Sequence, residues 1–262
     1  MVVIGQPPLE DMMNRATGTP AWLDLGTTDL EGVKPFYQEL FGWQFEDCGP
    51  AMSHYNMITK DGGLVGGAMD MTQCNDENDA EPRNAWDVFL AVDDVDGKLQ
   101  LALDNAANLV APAMDAGPAG RFAIVADPAG AVVAMWQAKD TEGYAFTGRP
   151  GTPIWFELVT TDLAGAIAFY TTVFDFSTAP MDDDYATNGP VEEATSGMMR
   201  SEDDTSHWQV TFAVADIEAA LVRTIELGGQ VVTPSVDSPW GPYATIADPT
   251  GARLLVMQAS PA

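Results

Sequence analysis

Histidine, cysteine and basic residues are what this 262-residue chain has least of. Its two histidines, His54 and His207, leave little imidazole for metal binding or proton transfer. The two cysteines, Cys48 and Cys74, are too few for a disulfide framework or a zinc ribbon, so idle thiols are expected. Eleven Lys and Arg stand against 39 Asp and Glu, a formal net charge of −28. Such a surface repels polyphosphate, which argues against nucleic acid and anionic membranes as partners. No apolar run approaches the ~20 residues that span a bilayer. The start, MVVIGQPPLEDMMNR, lacks a basic segment followed by an apolar core, so no signal peptide is expected and the reading is cytoplasmic. A solvated acidic surface is the plain account of the charge. Adaptation to high salt is the sharper one, and it predicts a melting temperature that rises with KCl.

What is present is a repeat. Residues 18–43, GTPAWLDLGTTDLEGVKPFYQELFGW, align without a gap on residues 151–176, GTPIWFELVTTDLAGAIAFYTTVFDF. Half the positions are identical, among them Trp22/Trp155, Thr28/Thr161, Asp29/Asp162, Phe36/Phe169, Tyr37/Tyr170 and Phe41/Phe174. One folding unit has been duplicated.

Each copy opens with an alternating strand, then an Asp able to cap a helix (Asp29, Asp162). The helix carries an apolar stripe: Val33, Phe36, Tyr37, Leu40 and Phe41 in the first copy, Ala166, Phe169, Tyr170, Val173 and Phe174 in the second. Residues 51–71 read as two strands joined at Lys60-Asp61-Gly62-Gly63, and the shorter, more acidic region 177–200 takes their place in the second copy. A second kind of unit opens at Trp86 and again at Trp208. It runs strand, helix, then three strands, with type I turns at Asp127-Pro128-Ala129-Gly130 and Asp248-Pro249-Thr250-Gly251 before the last strand. The chain therefore divides into an arm (1–17), a first domain (18–138), a linker (139–150) and a second domain (151–262). The polar stretch 73–84 is a surface connection. The fold class is α+β, four βαβββ modules in tandem.

The motifs GTPxWxxL, TTDxxxxxxFY and ADPxG together resemble the vicinal oxygen chelate superfamily, which holds glyoxalase I, extradiol dioxygenases and the bleomycin and fosfomycin resistance proteins. The nearer likeness is to tandem glyoxalase-like proteins often labelled hydroxylase. The resemblance covers about residues 18–260. It implies paired modules, each pair a curved sheet around a cleft with helices outside. It also implies a divalent metal held by His and Glu on first and last strands. By strand position those sites fall at Trp22, Asp87, Trp155 and Gln209, and at Ala134 and Leu255. Only Asp87 is a charged donor, so no family-type metal site or other cofactor is expected, although Asp24, Asp87 or Glu157 could bind a cation in another way.

Alternation puts Trp22 with Asp24, and Trp155 with Glu157, on the face that the resemblance makes a cleft. Asp24, Glu157 and Asp87 are the candidate catalytic carboxylates, weighed against solvated acids. Trp22, Trp155, His54 (placed on a second strand), Gln209, Arg121, Trp136, Tyr243 and Arg253 are the candidate ligand contacts, with packing or charge neutralisation as the plainer role for most. Trp86 and Trp208 face the helices as core. Three readings remain open. The first is a metal-independent protein that binds a small organic molecule. The second is a lyase, isomerase, dioxygenase or hydroxylase using Asp or Glu. The third is an interaction protein with filled clefts. A monomer or homodimer is expected.

Overall fold

The computed structural model describes residues 15–73, 83–141, 143–144, 148–201 and 205–259. Most of the expected arm, most of the 73–84 connection with Cys74, and part of the linker lie outside the described residues.

Module 1 is β1 (Pro20–Thr27), α1 (Leu30–Phe41), β2 (Gln44–Asp47), β3 (Asn56–Lys60) and β4 (Gly63–Asp70). Module 2 is β5 (Ala85–Ala91), α2 (Val95–Asp104), β6 (Asn108–Asp115), β7 (Gly120–Ala126) and β8 (Val132–Ala138). Module 3 is β9 (Pro153–Thr160), α3 (Leu163–Phe174), β10 (Ala179–Pro180), β11 (Tyr185–Thr187) and β12 (Ser196–Arg200). Module 4 is β13 (His207–Val214), α4 (Ile217–Glu226), β14 (Gln230–Val236), β15 (Tyr243–Ala247) and β16 (Arg253–Gln258). The strands form two eight-stranded sheets, ordered β2-β3-β4-β1-β5-β8-β7-β6 and β10-β11-β12-β9-β13-β16-β15-β14. The α+β class and the four tandem βαβββ modules are as the sequence indicates.

Each helix starts where an aspartate stops the strand. Asp29, Asp94, Asp162 and Asp216 each accept the backbone N–H three residues on, satisfying a donor the first turn leaves open. The first strand of a module then pairs in parallel with its last, Asp24 opposite Gly67 and Glu157 opposite Gly197. The helix-facing side chains of these first strands, Leu23, Leu25, Phe156 and Leu158, are fully buried.

The chain falls into two compact units, and each draws on both halves of the sequence. In the unit containing Leu23–Trp86 and Val210–Ala262, α1 packs on α4. The Tyr37 hydroxyl donates to Asp248 (2.9 Å) and accepts from the Trp86 indole (3.1 Å). In the unit containing Asp87–Gly143 and Trp155–Gln209, α2 packs on α3. There Tyr170 donates to Asp127 (3.1 Å) and accepts from Trp208 (2.8 Å). Each aspartate also accepts backbone N–H groups of its own DPxG turn, from Ala129 and Ala131 or from Thr250 and Ala252. Both tyrosines are fully buried, and removal from water holds their hydroxyls well above the ordinary phenol range. The FY and DPxG motifs thus form a buried joint, with Trp86 and Trp208 as its third members.

Candidate functional site

The opposite side of the first strands carries the polar chemistry. On β9, Trp155 and Glu157 are half-buried while Phe156 and Leu158 beneath them have no exposure. Gln209 of β13 donates its amide to Glu157 Oε2 at 2.9 Å. Tyr185 of β11 and Trp155 also stand close to Glu157, and the Trp155 indole donates to the Tyr185 hydroxyl at 3.2 Å. Three side chains from three strands therefore gather around one carboxylate.

Burial raises the Glu157 carboxyl above its usual range, and the polar groups of Gln209, Tyr185 and Trp155 only partly offset this. The same burial, with the carboxylate beside it, pushes the Tyr185 phenol up, so that hydroxyl keeps its proton.

How the tyrosine reaches the acid is visible one strand away. Gly197 lies directly opposite Glu157, and a Cβ built there would fall inside the Tyr185 phenol. The ring crosses β12 only because that position has no side chain. Module 1 repeats the device. Gly67 lies opposite Asp24, a Cβ there would fall inside the Tyr55 phenol, and Tyr55 donates a short hydrogen bond to Asp24 Oδ1. Tyrosine precedes glycine by twelve residues in both halves. That spacing within a recognised repeat was the signal for Tyr55, Gly67, Tyr185 and Gly197, none of which the sequence reading singled out.

The remaining candidates sit as follows. Trp22 is buried on β1 and Asp87 half-buried on β5. His54 is not on a strand. It sits with Ser53 in left-handed backbone, φ 56° and 50°, just ahead of β3, exposed and 2.9 Å from Asp47. The left-handed pair reverses the chain and delivers Tyr55 to the sheet, a job periodicity could not reveal. Arg121 binds Asp96 through two guanidinium nitrogens at 2.9 Å and lies 3.6 Å from Asp115. Trp136 is buried, its indole N–H on the Thr141 carbonyl. Tyr243 is half-buried opposite Met257, and Arg253 is exposed opposite Ala247. Glu157, Trp155 and Gln209 are three sequence candidates that share one cluster.

Register also locates the last-strand positions of modules 1 and 3. Ala134 pairs with Phe89 and Leu255 with Thr211, two residues beyond the first-strand positions Asp87 and Gln209. The equivalents in modules 1 and 3 are Gly67 and Gly197. Glycine, alanine, glycine and leucine offer no side-chain donor. The one carboxylate of the Glu157 cluster is met by N–H and O–H donors, which compete for the lone pairs a cation needs. Among the described residues no three His, Cys, Asp or Glu side chains gather as a metal site. These donors do not fit a transition metal held in the manner of the chelating enzymes.

The comparisons with known proteins bear on this geometry. Residues 153–257 match the glyoxalase-like domain family, and residues 19–135 match the glyoxalase/bleomycin resistance protein/dioxygenase superfamily. The glyoxylase candidate CFP32 of Mycobacterium tuberculosis is 35% identical over 260 residues, covering 93% of this chain and 96% of that one. The chain belongs to the glyoxalase/bleomycin resistance protein/dioxygenase superfamily. A second relative is the anthracycline biosynthesis protein DauV of Streptomyces sp. strain C5, 34% identical over 270 residues, 94% of this chain and 95% of that one. Solved superfamily structures share the fold at low identity. The Mn(II)-bound glyoxalase from Novosphingobium aromaticivorans has a TM-score of 0.62 at 14% identity, covering 93% of this chain and 82% of that one. Homoprotocatechuate 2,3-dioxygenase from Brevibacterium fuscum, with 3,4-dihydroxyphenylacetate, has 0.63 at 15%, covering 94% and 82%. No helix among the described residues is long and apolar enough to cross a membrane.

Proposed function

We propose that this superfamily member binds a small aromatic molecule on the sheet face bearing Trp155, Glu157, Tyr185 and Gln209, without a catalytic metal. The observation that carries this is the tyrosine laid over a glycine onto a first-strand carboxylate, built twice from different surrounding residues. A half-buried indole beside donors of fixed direction suits a flat ring bearing hydroxyl or carbonyl oxygens. The likeness to DauV, named for anthracycline biosynthesis, supports a polycyclic aromatic ligand. Titration with a hydroxylated anthraquinone, read by tryptophan fluorescence and calorimetry, tests it. Saturable binding weakened at least about tenfold by Tyr185→Phe and Glu157→Gln is expected, since each removes a charge-linked hydrogen bond. Binding that ignores both substitutions, or stoichiometric manganese, iron, nickel or zinc in the purified protein, defeats the reading.

A second reading is favoured by the raised Glu157 carboxyl. A half-buried acid shifted toward neutrality is suited to proton transfer. Glu157 would then be the acid/base group, with Gln209 and Tyr185 orienting it. Turnover of catechol, quinone or glutathione-adduct substrates that Glu157→Gln abolishes would establish an enzyme. Turnover unaffected by that change would remove Glu157 from the chemistry.

A further inference from the structure

Arg253 stands apart from the other bases. Lys34, Lys98, Arg200 and Arg223 each meet an acid, and Arg15, Arg83 and Arg149 have interactions of their own. Among the described residues Arg253 has neither an ion pair nor a hydrogen bond, in a chain with 39 acids. Neutralising a neighbouring acid, the plainer role its sequence allows, is therefore not what it does. An exposed guanidinium left open offers five N–H groups in a fixed fork, the pattern a carboxylate fits.

Strand register shows what lies beside it. On β16, Leu254 and Val256 have no exposure, so Arg253, Leu255 and Met257 alternate onto the other face. Leu255 pairs with Thr245 of β15 and with Thr211 of β13, and Thr245 pairs with Thr233 of β14. Met257 pairs with Tyr243, and Tyr243 with Val236. All of these positions lie within the unit that contains Val210–Ala262. One face thus carries a cation, then a row of hydroxyls around Leu255, then an apolar row of Met257, Tyr243 and Val236. None of these positions is an acid. Val236 is 45% exposed, and Tyr243 and Met257 are half-buried, so the apolar row is partly in water. Among the described residues the Thr233, Thr245 and Tyr243 hydroxyls make no hydrogen bond.

We propose that this face binds an aromatic carboxylate, its carboxylate on Arg253 and its ring system over Leu255 against Met257 and Tyr243. Arg253 and Met257 are four residues apart, about 13 Å along a strand, a span suited to two fused rings and a carboxylate. Charge picks the class. A neutral ring leaves the guanidinium unmatched, and an ammonium is repelled by it. The negative field of the whole chain discourages anions, so one settles where a guanidinium is open. The aromatic ligand of the Glu157 cluster needs no charge, whereas this face demands one.

Calorimetry with 2-naphthoate and with its uncharged counterpart 2-naphthamide, at constant ionic strength, provides the test. Naphthoate is expected to bind saturably and at least about tenfold tighter than the amide, as a charge-assisted pair allows. Arg253→Met should erase that preference, Arg253→Lys should keep part of it, and Tyr243→Ala should weaken acid and amide alike. No naphthoate binding, equal affinity for acid and amide, or a preference that survives Arg253→Met overturns the proposal. Arg253 is exposed, so its variants keep the fold, which an unchanged melting temperature verifies. Arg253→Met decides this face and Glu157→Gln the other site, so one can fail while the other stands.

Discussion

A buried carboxylate with several donors is a stability statement as well as a site. The Glu157 carboxyl is raised in the folded protein, so between its unfolded and folded values the native state binds more protons than the unfolded chain. Stability therefore falls as pH climbs through that window, and the cost of the buried charge is complete above it. Glu157→Gln removes this dependence. The melting temperature of the variant minus that of the native protein should rise from about pH 4 to about pH 7, measured by calorimetry. A constant or falling difference would show that the carboxyl is not held this way. The glycines give a second expectation. Gly197→Ala drives a methyl into the Tyr185 ring and should cost ~1–3 kcal/mol in urea unfolding, as overpacking does. In a Tyr185→Ala background most of that cost should vanish, because the colliding ring is gone. Gly67→Ala and Tyr55→Ala should behave alike. Trp155, Glu157 and Gln209 were legible because strand alternation and strand position select them. Tyr55 and Tyr185 were not, because each reaches its acid across a neighbouring strand, and that path depends on a residue defined by what it lacks.

Helices, strands and turns were more readable than the site, since caps, stripes and DPxG turns act within a few residues. The short strands β2 and β10 escaped notice, having four and two residues and mostly exposed side chains. The pairing of FY with DPxG also escaped, because Tyr37 and Asp248 are 211 residues apart. It is nonetheless the joint that fastens α1 to the β15–β16 turn. Tyr37→Phe leaves the Asp248 carboxylate and the Trp86 indole short of a partner in a dry place and should cost ~1–3 kcal/mol. Tyr170→Phe should match it, the two residues being equivalent in burial and bonding. Asp162→Ala, which removes only an exposed helix cap, should cost about 1 kcal/mol. Denaturant midpoints at constant slope separate these outcomes, and a cap deletion costing more than the joint would reverse the ranking.

For the whole molecule, charge sets the response to solvent. Ion pairs such as Lys98–Asp175 and Arg223–Glu39 engage several of the eleven bases, which the 39 acids far outnumber. Self-repulsion should then yield to screening. From about 0.1 M to about 1 M KCl the Debye length falls from ~10 Å to ~3 Å, and the melting temperature should rise across that range. A flat response would mean that the acids are spaced too widely to repel. The tyrosine–aspartate joints carry a different consequence. Tyr37 belongs to the first half of the sequence and Asp248 to the second, while Tyr170 and Asp127 reverse that assignment. A protease cut within the linker would therefore produce fragments that still clasp each other twice, migrating as one particle in a native gel and parting only when denatured.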